Sequence, residues 1–112
     1  MQKPEITHDP MYQLLRDAKI AEFNQRRAAG ETCQLQSTDL RGLDLRGMDV
    51  GGLDLSDTYL RQTDLRGLDL RETRLEGASI NGAKISGTYF PKELSPEEIT
   101  LSLVHGTRLR YR

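Results

Sequence analysis

The side chains able to do acid–base, nucleophilic or metal chemistry in this chain are few, and their spacing is unusual. Six aspartates, Asp39, Asp44, Asp49, Asp54, Asp64 and Asp69, fall five or ten residues apart. Paired carboxylates are common equipment for general acid and base catalysis. These six follow a strict repeat that sets them on outward faces with no evident pocket, and the repeat itself accounts for their regularity. His8 and His105 have no second histidine or cysteine at ligand spacing, so no metal site is expected. His105 instead suits the end of a helix, where a cation is favoured. Cys33 is the single cysteine; it has no partner for an internal disulfide and falls at an inward position, as a core thiol and not a nucleophile. The glycines form no GxxxxGK[ST] phosphate loop. The sequence therefore predicts no catalytic residue, no metal and no cofactor, in a protein that is not an enzyme.

What positions these residues is a period of five. From Cys33 the chain divides without insertion into twelve units: CQLQS, TDLRG, LDLRG, MDVGG, LDLSD, TYLRQ, TDLRG, LDLRE, TRLEG, ASING, AKISG and TYFPK. The third residue is apolar in all twelve, from Leu35 to Phe90; the second is Asp in six and the fifth is Gly in seven. A period of five fits neither a helix nor a flat strand. It fits a chain that turns a corner every five residues. In an extended unit, the first and third residues point to one side and the second and fourth to the other. Glycine at the fifth position supplies the positive φ of a tight turn. Strand and corner repeated in one direction wind a solenoid whose coils hydrogen-bond to one another.

Composition agrees with such a narrow core. The chain has 112 residues, 36% hydrophobic and none of them Trp, so one domain is expected and a broad core is not. Lys and Arg total 16 against 17 Asp and Glu, a net charge of −1 that gives no global attraction to DNA or anionic membrane. The start MQKPEITHDP has no apolar signal core, and no apolar run approaches about 18 residues, so a cytoplasmic protein with no membrane partner is expected.

Residues 33–92 resemble the pentapeptide repeat family, whose unit is A(D/N)LXX; TDLRG, LDLRG and TDLRG at 38–47 and 63–67 carry the likeness. The resemblance implies an all-β solenoid, a right-handed quadrilateral β-helix with four units per coil and about three coils, and helical N-terminal caps are frequent in such proteins. At the first position this chain departs from the family's small residue, with Leu43, Met48, Leu53 and Leu68. On a twenty-residue coil only Met48 and Leu68 lie directly over each other. A distorted corner is expected there, because overpacking is unfavourable by about 1–3 kcal/mol. Gly47, Gly67 and Gly87 form the one all-glycine corner column.

The flanks complete the layout. A flexible tail is expected over 1–8 and a capping helix over 9–30, opened by Asp9 and Pro10 and stopped near Gly30. The repeat occupies 31–92. A second helix over 93–106 opens LSPEE, with Ser95 and Glu98 as a capping box, and stops at Gly106. A basic tail, 107–112, follows as a mobile arm. The first helix has two apolar stripes, Met11/Leu14/Leu15/Ala18 and Tyr12/Ile20/Phe23; the second stripe reflects internal packing, a kink, or a partner surface. Tyr12, Ile20, Phe23, Ile99 and Leu103 are thus candidate contacts of a homodimer through the terminal helices.

The outer faces carry rows of Asp and Arg two residues apart. Their plain reading is self-neutralising surface charge, worth about 0–1 kcal/mol per pair. Their functional reading is a partner surface of Arg41, Tyr59, Arg61, Arg71, Tyr89, Arg108, Arg110 and Arg112, because Tyr and Arg are enriched at binding hot spots. A non-catalytic protein-interaction or scaffold module with a protein partner is the function these features favour. DNA mimicry directed at gyrase, known for longer members of the family, is disfavoured by the neutral charge and the short rod. An acidic partner or nucleic acid bound through the basic tail is the remaining alternative, nucleic acid being disfavoured by the net charge of −1.

Overall fold

The computed structural model describes residues 9–112. His8 and the tail expected over 1–8 lie outside the described residues. Three helices form: α1 (Pro10–Arg16), α2 (Ile20–Ala28) and α3 (Pro96–His105). None is long and apolar enough to cross a membrane.

Between α2 and α3 the chain is tied to itself at an offset of twenty residues. Isolated parallel bridges join Asp39 to Tyr59, Asp44 to Asp64, Asp54 to Arg74, Tyr59 to Ser79, Asp64 to Lys84 and Asp69 to Tyr89. The third-position N–H donates forward, as from Leu45 to the Asp64 carbonyl (3.0 Å) and from Leu65 to Lys84 (2.9 Å). The second-position N–H donates back, as from Asp64 to Leu43 (2.8 Å). The first-position N–H closes the corner onto the carbonyl three residues earlier, as from Met48 to Leu45 (3.1 Å). No strand longer than a bridge forms among the described residues. The expected strands shrink to single bridges because the corner returns after five residues, before a ladder can extend.

The third-position side chains make the core. Leu35, Leu40, Leu45, Leu55, Leu60, Leu65, Leu70, Leu75 and Ile80 are all essentially inaccessible, whereas Ile85 and Phe90 at the far end are only partly covered. First-position threonines are buried beside them because their hydroxyls find third-position carbonyls. Thr63, for example, donates to Leu40 O at 2.7 Å and Thr73 to Val50 O at 2.8 Å.

The corners separate two residue requirements. Gly47, Gly67 and Gly87 have φ of 80°, 76° and 71°, but Ser37, Asp57 and Gln62 adopt φ of 62°, 59° and 58° at the same position. At these corners the fifth residue is left-handed whether or not it is glycine, and glycine only makes it less strained; Glu72, at the same position, is not left-handed. Asp49 forms no bridge with Asp69, the one gap in the series between residues 39 and 89. That gap lies beside Met48 over Leu68, both buried, and opens a crevice of about 260 Å³ lined by Met48, Val50, Asp69 and Glu72 among others. Here Gly52 donates to Glu72 O, twenty residues on, and not nineteen as at Gly42 to Arg61. The register at this corner is thus shifted by one residue, beside the two large stacked side chains.

Three terminal expectations are corrected. The single helix over 9–30 is two helices, because Ala18 takes φ 60° and Lys19 N–H turns back to Leu14 O (2.8 Å). The break redistributes the two stripes: α1 buries Met11, Tyr12, Leu14 and Leu15, α2 buries Phe23, and Ala18 lies exposed between them. Tyr12 and Phe23 are fully buried within the chain, so they are not available to a second copy. The tail 107–112 does not project. Leu109 is buried and exchanges backbone hydrogen bonds with Gly77 and Ala78 (2.8 Å each), and the Tyr111 hydroxyl accepts from Leu75 N–H (2.8 Å).

Candidate functional site

Each repeat aspartate has a local structural task. Asp39, Asp44, Asp64 and Asp69 accept the backbone N–H two residues on and hold the arginine there through two further hydrogen bonds of 2.7–2.9 Å. Asp54 does the same for Ser56, and Asp49 for Gly51 N–H at 3.4 Å. The side-chain hydrogen bonds from Arg66 and Arg71 hold the carboxyls of Asp64 and Asp69 down at about 2. The aspartate thus organises the corner and fixes its arginine flat along the surface. The Cys33 thiol is half-buried, and burial raises its pKa, the opposite of nucleophile activation.

The two ends of the stacked turns are finished differently. At the first turn, side chains replace the missing neighbour. Asn24 accepts Asp49 N–H (2.8 Å) and donates to Gly47 O (2.9 Å), as a backbone amide would. Arg27 donates to Asp49 O and Gly51 O, and the Tyr12 hydroxyl to Asp39 O (2.7 Å). At the last turn, α3 and the C-terminal segment satisfy Leu75, Gly77, Ile80 and Gly82. Among the described residues, the N–H groups of Ile85, Gly87 and Phe90 have no hydrogen-bond partner, so that half of the edge is open. Tyr89 beside it is 59% exposed. None of these edge contacts was legible beforehand, although Asn24 and Arg27 are polar residues facing an apolar stripe, which is a usable signal.

The expected partner surface divides into spent and unspent residues. Arg41 is held by Asp39, and Arg71 by Asp69 while lying over the Tyr89 ring (4.9 Å). Arg110 is held by Glu98, which accepts three hydrogen bonds from it, and so Glu98 does not complete a capping box. Ser95 alone caps α3, accepting from Glu98 N–H at 3.2 Å. Of the repeat arginines, Arg61 is the one that meets no carboxylate among the described residues; it donates only to Asn81 Oδ1 (3.1 Å). The reason is in the sequence: its unit is TYLRQ, with Tyr59 where the neighbours carry Asp.

The fold brings Tyr59 and Arg61 together with Arg108. The Arg108 guanidinium lies over the Tyr59 ring at 5.8 Å and touches Asp57 Oδ1 at 3.3 Å. With Ser79 and Gly106, these residues line a notch of about 130 Å³. Arg71 and Tyr89 lie on a different side, and Arg110 and Arg112 line a separate shallow depression with Glu98. Ile20, Ile99 and Leu103 are half-buried against the core, and the exposed apolar residues of α3 are Leu101 and Val104. Ser79 and Gly106 are contributors the sequence reading missed; only their distant position above Tyr59 reveals them.

Comparison with known proteins places the repeat. The family model for pentapeptide repeats matches residues 54–90, with 8 copies. No curated protein and no solved structure matches the chain.

Proposed function

We propose that this chain, a pentapeptide-repeat protein, is a non-catalytic interaction module built on a short right-handed, four-sided β-helix of about three coils. Support for the coil comes from the twenty-residue bridge register and the buried third-position columns. In this reading 9–30 and 93–112 close the ends of the helix formed by 31–92. Support for a binding role rests on one observation above the others. The repeat neutralises its arginines unit by unit, and the pattern stops at Tyr59 and Arg61, where a tyrosine replaces the aspartate and the guanidinium meets an amide, Asn81, and no carboxylate among the described residues. Arginine and tyrosine in that state are the residues that anchor interfaces. The test is retention by the immobilised chain from extract of its own cell. A protein held by wild type and by Arg46→Ala, but lost with Tyr59→Ala and Arg61→Ala, supports the face; equal loss or equal retention across the variants refutes it.

A second reading concerns self-association. The open edge at 83–90 offers both N–H donors and carbonyl acceptors, so a second copy related by a two-fold axis would satisfy both at once. In this reading the contacts are Ile85, Tyr89 and Phe90, with Ile99 and Leu103 at the margin.

A further inference from the structure

The notch at Tyr59 has the chemistry of a receptor for one anionic group. Two guanidinium side chains, Arg61 and Arg108, border it. Among the described residues Arg61 meets no carboxylate and donates only to Asn81 Oδ1, and Arg108, over the Tyr59 ring at 5.8 Å, touches the exposed Asp57 at 3.3 Å and Gly77 O at 3.4 Å. The Ser79 hydroxyl forms no hydrogen bond among the described residues and adds a donor to the lining. The Tyr59 ring supplies an apolar wall against which a methylene chain can lie. We propose that this notch receives a glutamate or aspartate side chain from an acidic peptide segment of a partner protein. The partner carboxylate takes the place of the aspartate that the unit TYLRQ lacks, and its geometry can follow the paired units, where carboxylate and guanidinium meet through two hydrogen bonds.

Size and charge both select the carboxylate. A volume of about 130 Å³ holds one such group and excludes a nucleotide. Asp57 stands at the rim beside Arg108, and its charge opposes a dianionic phosphate more strongly than a monoanionic carboxylate. Gly106 at the edge, left-handed with φ 76°, ends α3 and leaves the approach from above without a side chain. The inference rests on reading the chain as an interaction module, and it adds the chemistry of the partner.

The experiment is fluorescence anisotropy with a fluorescein-labelled hexaglutamate peptide and its hexaglutamine counterpart, at low ionic strength, where exposed charges are least screened. Wild type should bind hexaglutamate and not hexaglutamine. Arg61→Gln and Arg108→Gln should each weaken binding by about tenfold or more. Tyr59→Asp should do the same by restoring the Asp–Leu–Arg unit and occupying Arg61 internally. Arg46→Gln, already paired with Asp44 and remote from the notch, should bind as wild type does. Thermal melts of the same samples establish that each variant is folded. Equal affinity across all the proteins, or no binding by wild type, would overturn the inference. So would inorganic phosphate displacing the peptide at lower concentration than acetate, which would make this a phosphate site. If hexaglutamate fails while a cellular partner is still lost with Tyr59→Ala, the carboxylate inference falls and the interaction module stands.

Discussion

At the scale of single residues, the repeat is a set of small hydrogen-bonded devices. The aspartate is the clearest. Asp64 and Asp69 are held at about 2 by their arginines, below the ordinary carboxylate value near 3.9. The folded chain therefore gives up these protons more readily than the unfolded chain. Their stabilising contribution is complete above about pH 4 and lost as pH falls through about 2. Thermal melting should hold level from neutrality to about pH 4 and then decline, and Asp64→Asn should flatten part of that decline. The slope should be shallow, because these arginines are exposed to solvent. Corner glycines give a second residue-level prediction. A Cβ at Gly77 would lie 2.0 Å from Asp57 Oδ1, whereas at Gly47 it would meet open space at a similar φ. Gly47→Ala should lose only the backbone strain, about 1–2 kcal/mol. Gly77→Ala should lose more in a denaturant titration, by the cost of moving Asp57. Because Gln62 itself sits at φ 58°, a β-branched Val would be strained at that corner as well as at the glycine corners.

At the scale of elements, the repeat was legible and the ends were not. Twelve apolar residues at a fixed period declared the inward side, and the register they implied recurs in every bridge. Even the gap at Asp49 and Asp69 was foreshadowed by Met48 over Leu68. The ends depend on contacts between residues 21 to 36 positions apart, with no local pattern to mark them. A kink is one reading of the two stripes, but nothing in the sequence places it at Ala18, since alanine favours helix and yet here is held at a left-handed φ of 60°. That imposed strain is testable. Ala18→Gly should raise stability by about 1 kcal/mol in urea, since glycine adopts φ 60° without penalty. Asn24→Leu should destabilise by about 1–3 kcal/mol, because it strips the partners from Gly47 O and Asp49 N–H at the first edge. Core register is tested by Leu65→Asp against Arg66→Asp: the first buries a charge without a partner and should unfold the chain, and the second should leave it folded.

At the scale of the whole molecule, 37 × 27 × 22 Å in extent, a closed end and a half-open end give the chain a direction. The closed end has Asn24, Arg27 and Tyr12 in the place of a further turn. At the half-open end the N–H groups of Ile85, Gly87 and Phe90 have no hydrogen-bond partner among the described residues, and the proposed second copy would supply one. Sedimentation equilibrium should find dimers whose fraction rises with concentration, and Ser86→Asp, at an exposed position in that edge, should return them to monomers while the melting curve stays unchanged. A wild-type chain monomeric at every concentration would leave the edge to water. The interaction face lies apart from this edge, so the two predictions fail or succeed independently. The measurement that bears most directly on function is site-specific photo-crosslinking in the cell that makes the protein. A photoreactive phenylalanine analogue is placed at Tyr59 in one version and at Arg46, an exposed position on another side of the stacked turns and outside the open edge, in a second. Position 59 should give a discrete heavier adduct that position 46 does not, and Arg61→Gln in the same chain should weaken it. Adducts of equal strength from both positions, or none from 59, would contradict the account.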